Sequence, residues 1–253
     1  MMIVAVVLIL VLIELTIPSV SYAWGPGMHV YIGTSALKFA KDLIPAAAVV
    51  LENNPLHYLY GCLSADIFFG KTGKSTKQKC HTWVIGQRLL EISKDDKGRA
   101  YAYGFLSHLA ADTVAHNICL PYFMSLDSKS KKWQHCFWEW QFDRVLAYEY
   151  RLLAKEVFSH SFTEVDRTLC SLTNVKFPVF WTKKILYART LGGKVREKKS
   201  VSSMILYACL AYQHKNLLHL KKSVSLSLVS VLDVLNDPES AACTKMDPLG
   251  NLS

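Results

Sequence analysis

Apolar positions along this chain recur mainly at three- and four-residue intervals, the spacing of helices that bury one face. The helices predicted from this spacing cover residues 28–43, 45–52, 84–93, 102–117, 133–158, 163–172, 178–191, 201–217 and 218–235, and residues 56–69 form a further apolar stretch. No two-residue alternation typical of β-strands stands out. The sequence therefore predicts an all-α fold, with a single multi-helix domain at residues 24–236 and a flexible tail at residues 237–253.

The N-terminus has the pattern of a secretory signal peptide at residues 1–23. An uninterrupted apolar run extends from Ile3 to Ile13 and ends at Glu14, and Ser21-Tyr22-Ala23 places small residues at the −3 and −1 positions of a cleavage site. The predicted location is secreted or periplasmic, or membrane-anchored if the segment is retained. Cleavage after Ala23 would expose the amine of Trp24, which binds zinc once deprotonated.

Composition and charge narrow the partners without choosing one. The 253 residues are 51% hydrophobic and 19% charged, which suits a filled core and argues against extended disorder. The net charge of +9, from 29 basic and 20 acidic residues, favours anionic partners such as a phospholipid membrane surface or nucleic acid. The seven cysteines contain no CxxC pair, which makes a cysteine-based zinc ribbon improbable.

One predicted helix carries the densest chemistry. His108, Asp112 and His116 follow one another at four-residue steps within residues 102–117. Such steps keep three side chains within roughly 80° of one face of an α-helix. Unpaired imidazole and carboxylate groups in an apolar setting are costly, and a metal ion would satisfy them. Three helix residues satisfied by ordinary hydrogen bonds remain the alternative.

Other candidate ligands are scattered through the first 139 residues. Asp66 is the only charged residue in the apolar stretch 56–69, and a metal ligand, a base or a capping residue would each explain it. His135 and Glu139 lie one helical turn apart, so they share a face. His29 and His81 complete the set, although each alone is compatible with an ordinary surface or core histidine.

Taken in order, these residues resemble the zinc-dependent phospholipase C family, which shares its all-α fold with the S1/P1-type nucleases. The resemblance rests on a Trp after the signal peptide, an early His, an isolated Asp, a His, a His-x3-Asp followed by a His, and a final His-x3-Glu. Here these are Trp24, His29, Asp66, His81, His108-x3-Asp112, His116 and His135-x3-Glu139. The four-residue step from Asp112 to His116, where better-known members have six, marks a divergent branch.

The resemblance implies a hydrolase with up to three Zn²⁺ ions. Trp24 and His29 would hold one ion, Asp66, His81 and His108 a second with Asp112 bridging, and His116, His135 and Glu139 a third. Zinc activates water and stabilises charge in phosphodiester hydrolysis. Asp66 is the candidate catalytic residue, orienting or deprotonating that water.

Three functions remain open from the sequence. The first is a phospholipase C that cleaves head groups from phospholipids at a membrane surface. The second is an S1/P1-like nuclease, which a basic groove with base-stacking aromatics would favour. The third is a non-catalytic zinc-binding interaction protein. The large number of candidate ligands argues against this third function, because a structural zinc site needs only four ligands.

Overall fold

The computed structural model describes residues 24–68, 80–126, 138, 142–143, 148–191 and 214–250. These residues form helices and no β-strand, which confirms the all-α prediction. The helices are α1 (Pro26–Lys38), α2 (Pro45–Asn53), α3 (Pro55–Ser64), α4 (Trp83–Ile92), α5 (Asp96–Val114), α6 (Leu120–Ser125), α7 (Tyr148–Ser159), α8 (Thr163–Thr173), α9 (Phe177–Leu191) and α10 (His214–Asn236). Short 3₁₀ turns occupy Ala40–Asp42, Ala65–Ile67 and Ala242–Lys245, and a π-helix occupies Ala115–Cys119.

Helix α5 is the centre of the molecule. Every residue from Ala100 to Val114 is buried, and α1, α2, α3, α4 and α10 all contact it. A helix that is buried on all sides needs small and apolar residues around its whole circumference, which α5 supplies. Each large apolar side chain that it buries contributes about 1.5–3 kcal/mol to folding. The polar side chains between Ala100 and Val114 are consequently held away from solvent.

Two glycines allow α3 and α5 to pack at unusually short range. A Cβ atom on Gly104 would lie 1.9 Å from the carbonyl oxygen of Tyr58, and one on Gly61 would lie 2.2 Å from that of Tyr101. Both conflicts involve backbone atoms, which cannot move without separating the helices. This contact brings the C-terminal end of α3 close to the middle of α5.

The N-terminal boundary of the first helix differs from the prediction. The apolar pattern predicts the first helix at residues 28–43, whereas α1 begins at Pro26 and ends at Lys38. Proline is well tolerated in the first turn of a helix, because the first N–H groups have no partner within the helix. The last residues of the predicted helix instead form the separate 3₁₀ turn Ala40–Asp42.

The end of the chain also differs from the prediction. Residues 237–253 were expected to form a flexible tail, but residues 237–250 pack against the helices. Trp83 Nε1 donates to the carbonyl oxygen of Met246 at 2.9 Å, and Asn117 Nδ2 donates to that of Asp247 at 3.0 Å. Cys243 is buried. These bonds link backbone carbonyls to side chains far away in the chain, so the polar local composition gave no sign of them.

Five cysteine thiols are buried and free, namely Cys62, Cys80, Cys119, Cys170 and Cys243. Burial raises the pKa of the Cys62 and Cys119 thiols to about 12. Over the described ranges, therefore, helix packing holds the fold together without a disulfide. In the same ranges, no helix is both long enough and apolar enough to span a bilayer.

Candidate metal centre

Four segments that are distant in sequence bring five ionisable side chains together. His29 comes from α1, Asp66 from the 3₁₀ turn after α3, and His81 from the residues just before α4. His108 and Asp112 lie one turn apart on α5. All five side chains are no more than 2% exposed, so the cluster is enclosed by protein. We call these five residues the His/Asp cluster.

One side of the cluster joins Asp66, His81 and His108. The Nε2 atom of His81 lies 3.4 Å from Asp66 Oδ1 and 3.2 Å from Nε2 of His108. His108 Nε2 lies 3.8 Å from the same Asp66 oxygen. Ligands bound tetrahedrally at about 2.0–2.1 Å from a zinc ion stand roughly 3.3 Å apart. The spacing of these three atoms therefore fits a shared metal ion.

Asp112 connects this side of the cluster to His29. Its Oδ1 atom lies 3.3 Å from Nε2 of His29, while its Oδ2 atom lies 3.2 Å from Nε2 of His108 and 3.9 Å from that of His81. The two oxygens of one carboxylate thus face different histidines. This is the arrangement expected of a carboxylate that bridges two metal ions.

The chemistry of the cluster fits zinc. The potential ligand atoms fall into two overlapping groups, His29 with Asp66 and His108, and His81 with His108 and Asp112, each with its atoms within 4.8 Å of one another. Imidazole nitrogen and carboxylate oxygen are common zinc ligands. His29 Nε2 also makes no hydrogen bond of acceptable geometry to Asp112 despite their proximity. A cation would satisfy both atoms.

Charge coupling within the cluster is strong. Burial alone would lower the pKa of His108, but the carboxylates of Asp112 and Asp66 outweigh burial and raise it to about 9. Burial raises the pKa of Asp112, but His108 and His29 have the larger combined effect and lower it well below 3.8. In the metal-free protein His108 and Asp112 therefore favour each other's charged state.

The backbone of α3 orients the central imidazole. Nδ1 of His108 lies 2.9 Å from the carbonyl oxygen of Cys62. This partner favours a proton on Nδ1 and directs Nε2 into the cluster, as is usual for metal-binding histidines. The short contact between α3 and α5 at Gly61 and Gly104 makes this hydrogen bond possible. Sequence patterns could not reveal it, because its acceptor is a backbone atom.

Asp143 fixes the start of α1. Its Oδ1 atom accepts a hydrogen bond from the backbone N–H of Met28 at 2.8 Å, and its Oδ2 atom lies 3.4 Å from Nε of Arg151. Burial raises the pKa of Asp143 to about 6, although Arg151 and the backbone donors of Met28 and Gly27 act in the opposite direction. Asp143 therefore anchors the helix turn that carries His29.

Four other predicted ligands lie outside the His/Asp cluster or beyond the described residues. Trp24 is fully buried, and its indole Nε1 donates to Ser227 Oγ at 3.1 Å. The group of Trp24 predicted to bind zinc is the backbone amine and not the indole. His116 is buried in the π-helix and belongs to neither group of metal-binding atoms found in the described ranges. His135 and Glu139 lie outside the described residues. The ligand roles of all four residues stay predictions.

Asp166, a buried carboxylate outside the cluster, shows what an ordinary ion pair in this fold looks like. Asp166 Oδ2 accepts from Nζ of Lys184 at 2.7 Å, and Oδ1 accepts from the hydroxyl of Tyr60. Each oxygen of Asp166 therefore has a protein donor. The carboxylates of the His/Asp cluster instead converge on several imidazoles at distances of 3.2–4.0 Å.

A cavity of about 940 Å³ lies elsewhere, between the N-terminal turns of α5 and α8. Its walls include Leu89, Lys97, Tyr101, Phe162 and Arg167, and none of the cluster residues. Gly98, which also lines it, precedes His108 by ten residues, or roughly 15 Å along the helix. We therefore do not assign this cavity to the chemistry of the cluster.

Comparison with known families identifies the class of protein that this fold and cluster define. The family model described as zinc dependent phospholipase C matches residues 28–183. That match covers more than half of the chain, so the protein belongs to the zinc-dependent phospholipase C family. The matched range includes all five residues of the His/Asp cluster. Searches of curated proteins and of solved structures found no match.

Proposed function

We propose that this protein is a zinc-dependent phospholipase C that hydrolyses the phosphodiester of a membrane phospholipid, releasing diacylglycerol and a phosphorylated head group. The observation that carries the proposal is the convergence of three imidazoles and two carboxylates in a buried cluster of a chain that belongs to this family. When bound, zinc supplies Lewis-acid stabilisation of the phosphate and activation of water.

The cluster residues have distinct proposed roles. Asp66, His81 and His108 would hold one zinc ion, and Asp112 would bridge to a second ion held by His29 and the backbone of Trp24. The distances of Asp112 to His29 and to His108 support the bridging role. His116, His135 and Glu139 would hold a third ion.

Asp66 is the proposed catalytic carboxylate. Its Oδ1 atom lies near both His81 and His108, while its Oδ2 atom lies 4.0 Å from His29. A carboxylate in this central position can orient a water molecule and accept its proton. The 3₁₀ turn Ala65–Ile67 holds it at the end of α3.

The proposed location is outside the cytoplasm. Removal of residues 1–23 would free the amine of Trp24 for zinc and deliver the protein to phospholipid surfaces. N-terminal sequencing of the secreted protein tests this step, with Trp24 as the expected first residue. Any other start would remove the amine ligand from the proposed centre.

Metal analysis combined with substrate assays tests the activity. The purified mature protein is expected to contain two or three zinc ions and to release phosphorylated head group from phosphatidylcholine or phosphatidylinositol. Single-stranded DNA serves as the competing substrate. Cleavage of DNA alone would identify a nuclease, and full zinc occupancy with no turnover would identify a non-catalytic zinc-binding protein. A protein without zinc would overturn the proposal.

A further inference from the structure

Helix α9 presents three large apolar side chains to solvent, one of them a tryptophan. Trp181 is 55% exposed, Leu186 42% and Val179 41%. The opposite face of the same helix is well packed, since Phe180, Tyr187 and Leu191 are buried. Single exposed apolar residues are common, but a tryptophan accompanied by two aliphatic residues on one helix is a candidate contact surface.

The charge of α9 indicates the nature of the partner. Its sequence from Phe177 to Leu191 contains no acidic residue. Arg189 is exposed within the helix, and Lys176 is exposed immediately before it. Lys184 is directed inward to Asp166 and so does not contribute to the outer face. A face that combines Trp and aliphatic residues with Arg and Lys matches the boundary between head groups and acyl chains of an anionic bilayer.

Helix α9 also lies close to the His/Asp cluster. The rings of Phe180 and Phe68 are 5.3 Å apart, and Phe68 is two residues beyond Asp66. Helix α9 contacts the turn Ala65–Ile67 directly. A surface resting on the outer face of α9 would therefore lie about one helix diameter, roughly 10–12 Å, from that turn.

We infer that the outer face of α9, defined by Val179, Trp181, Leu186 and Arg189, docks the protein on anionic phospholipid bilayers. The inference rests on the proposed function, because it assigns the membrane surface on which that activity would take place. The exposed residues spread around a convex helix face instead of lining a groove. A deformable lipid interface can cover such a face, whereas a rigid partner would need a matching concave surface.

Vesicle flotation tests the docking surface without requiring catalysis. The zinc-loaded protein is mixed with vesicles of phosphatidylcholine, with or without phosphatidylserine, and head-group release is monitored in parallel. We expect binding to the vesicles that contain phosphatidylserine, and at least a tenfold loss of partitioning for the double variant Trp181→Ala/Leu186→Ala, which corresponds to about 1.4 kcal/mol. Arg189→Glu should weaken binding mainly to the anionic vesicles.

Matched variants elsewhere on the surface provide the control. Val49 on α2 and Val229 on α10 are 54% and 60% exposed, so Val49→Ala/Val229→Ala removes apolar groups of comparable exposure. Lys221→Glu on α10 repeats the charge reversal at another exposed site. These controls should bind like the wild type. Equal losses in test and control variants, or equal binding to neutral and anionic vesicles, would overturn the inference.

Turnover of two forms of substrate separates the inference from the proposed function. The α9 double variant should hydrolyse a short-chain phospholipid below its micellar concentration at the wild-type rate, but hydrolyse anionic vesicles at least tenfold more slowly. Equal losses on both substrates would reject α9 as a docking surface. A wild-type protein that floats through α9 yet hydrolyses neither substrate would reject the phospholipase activity and leave the docking surface intact.

Discussion

Asp112 is the residue on which the cluster depends most directly. Its two oxygens face His29 on one side and His108 on the other, and no other residue of the cluster approaches both sides as closely. Its position one turn after His108 could be predicted from the sequence, because i and i+4 side chains share a helix face. The approach of His29 from α1 could not, since 83 residues of chain separate it from Asp112 (112 − 29).

Replacing Asp112 with asparagine should empty the metal centre. The amide keeps the shape of the side chain but loses the charge that compensates two cations. We expect zinc affinity to fall by more than the roughly 10–100-fold typical for loss of an outer-sphere partner. Zinc content after gel filtration measures the effect. Asp166→Asn is the matched control, because it alters a buried carboxylate outside the cluster and should leave zinc content per folded molecule unchanged.

The coupled charges also predict the pH dependence of the zinc-free protein. The pKa of Asp112 is lowered well below 3.8, so its contribution to the free energy of unfolding is present above pH 3.8 and is lost as the pH falls through its folded pKa. The pKa of His108 is raised from 6.5 to about 9, so its contribution is complete below pH 6.5 and is lost as the pH rises through about 9.

Urea unfolding in the presence of chelator should therefore show greatest stability from these groups between about pH 4 and pH 6.5. The Asp112→Asn variant should give a flatter profile on both sides, because each shift depends on the other group. An unchanged profile in this variant would show that the two side chains are not coupled in solution.

At the scale of elements, the contact between α3 and α5 sets the geometry of the centre. It places the Cys62 carbonyl against His108 and the turn with Asp66 beside Asp112. Helix periodicity predicted α5, and the sequence placed a separate apolar stretch at residues 56–69, where the structure has α3. The close contact itself could not be predicted, because a glycine within an apolar run does not identify the backbone that it will meet.

Adding a methyl group at this contact should disrupt both fold and site. Gly104→Ala places a Cβ atom against the Tyr58 carbonyl, and overpacking of this kind costs about 1–3 kcal/mol or more. We expect a lower urea midpoint and weaker zinc binding in the molecules that remain folded. Gly86→Ala on α4 is the control, since its new methyl group would meet only side-chain atoms of Leu106 and Leu109. A smaller loss for Gly104→Ala than for Gly86→Ala would contradict the proposed role of the contact.

The π-helix after α5 could not be predicted from α-helical periodicity. Regular four-residue steps predicted that His116 continues the face of His108 and Asp112, but the chain changes to π-helix at Ala115. Such local widening is frequent at functional sites and has no simple sequence signal. Gly250 approaches His116 there, so the C-terminal residues contribute to its surroundings.

At the scale of the whole molecule, a metal ion at the His/Asp cluster would link segments that packing and hydrogen bonds already hold together. His29, Asp66, His81 and the pair on α5 come from four separate parts of the chain. A ligand that binds only the folded state stabilises that state by mass action. Zinc binding at the cluster should therefore be measurable as global stability, and not only as local order.

Zinc removal should lower the thermal midpoint of the protein. Free zinc at a hundred times its dissociation constant adds about 2.7 kcal/mol, which corresponds to roughly 5–10 °C for a domain of this size. Melting followed by circular dichroism at buffered zinc concentrations measures the shift. The Asp112→Asn variant should lose the dependence on zinc, whereas Asp166→Asn should melt earlier but keep it. A midpoint independent of zinc in the wild-type protein would contradict the linkage.

Alkylation of the five buried thiols would report how often the folded protein opens. A thiol must ionise and meet solvent before an alkylating reagent modifies it, and burial prevents both for Cys62 and Cys119. The rate at which each of these thiols is alkylated therefore measures how often the surrounding part of the molecule opens to solvent. Because the thiols lie on α3, α8 and the C-terminal segment as well as beside the cluster, peptide mapping would distinguish local fraying from cooperative unfolding.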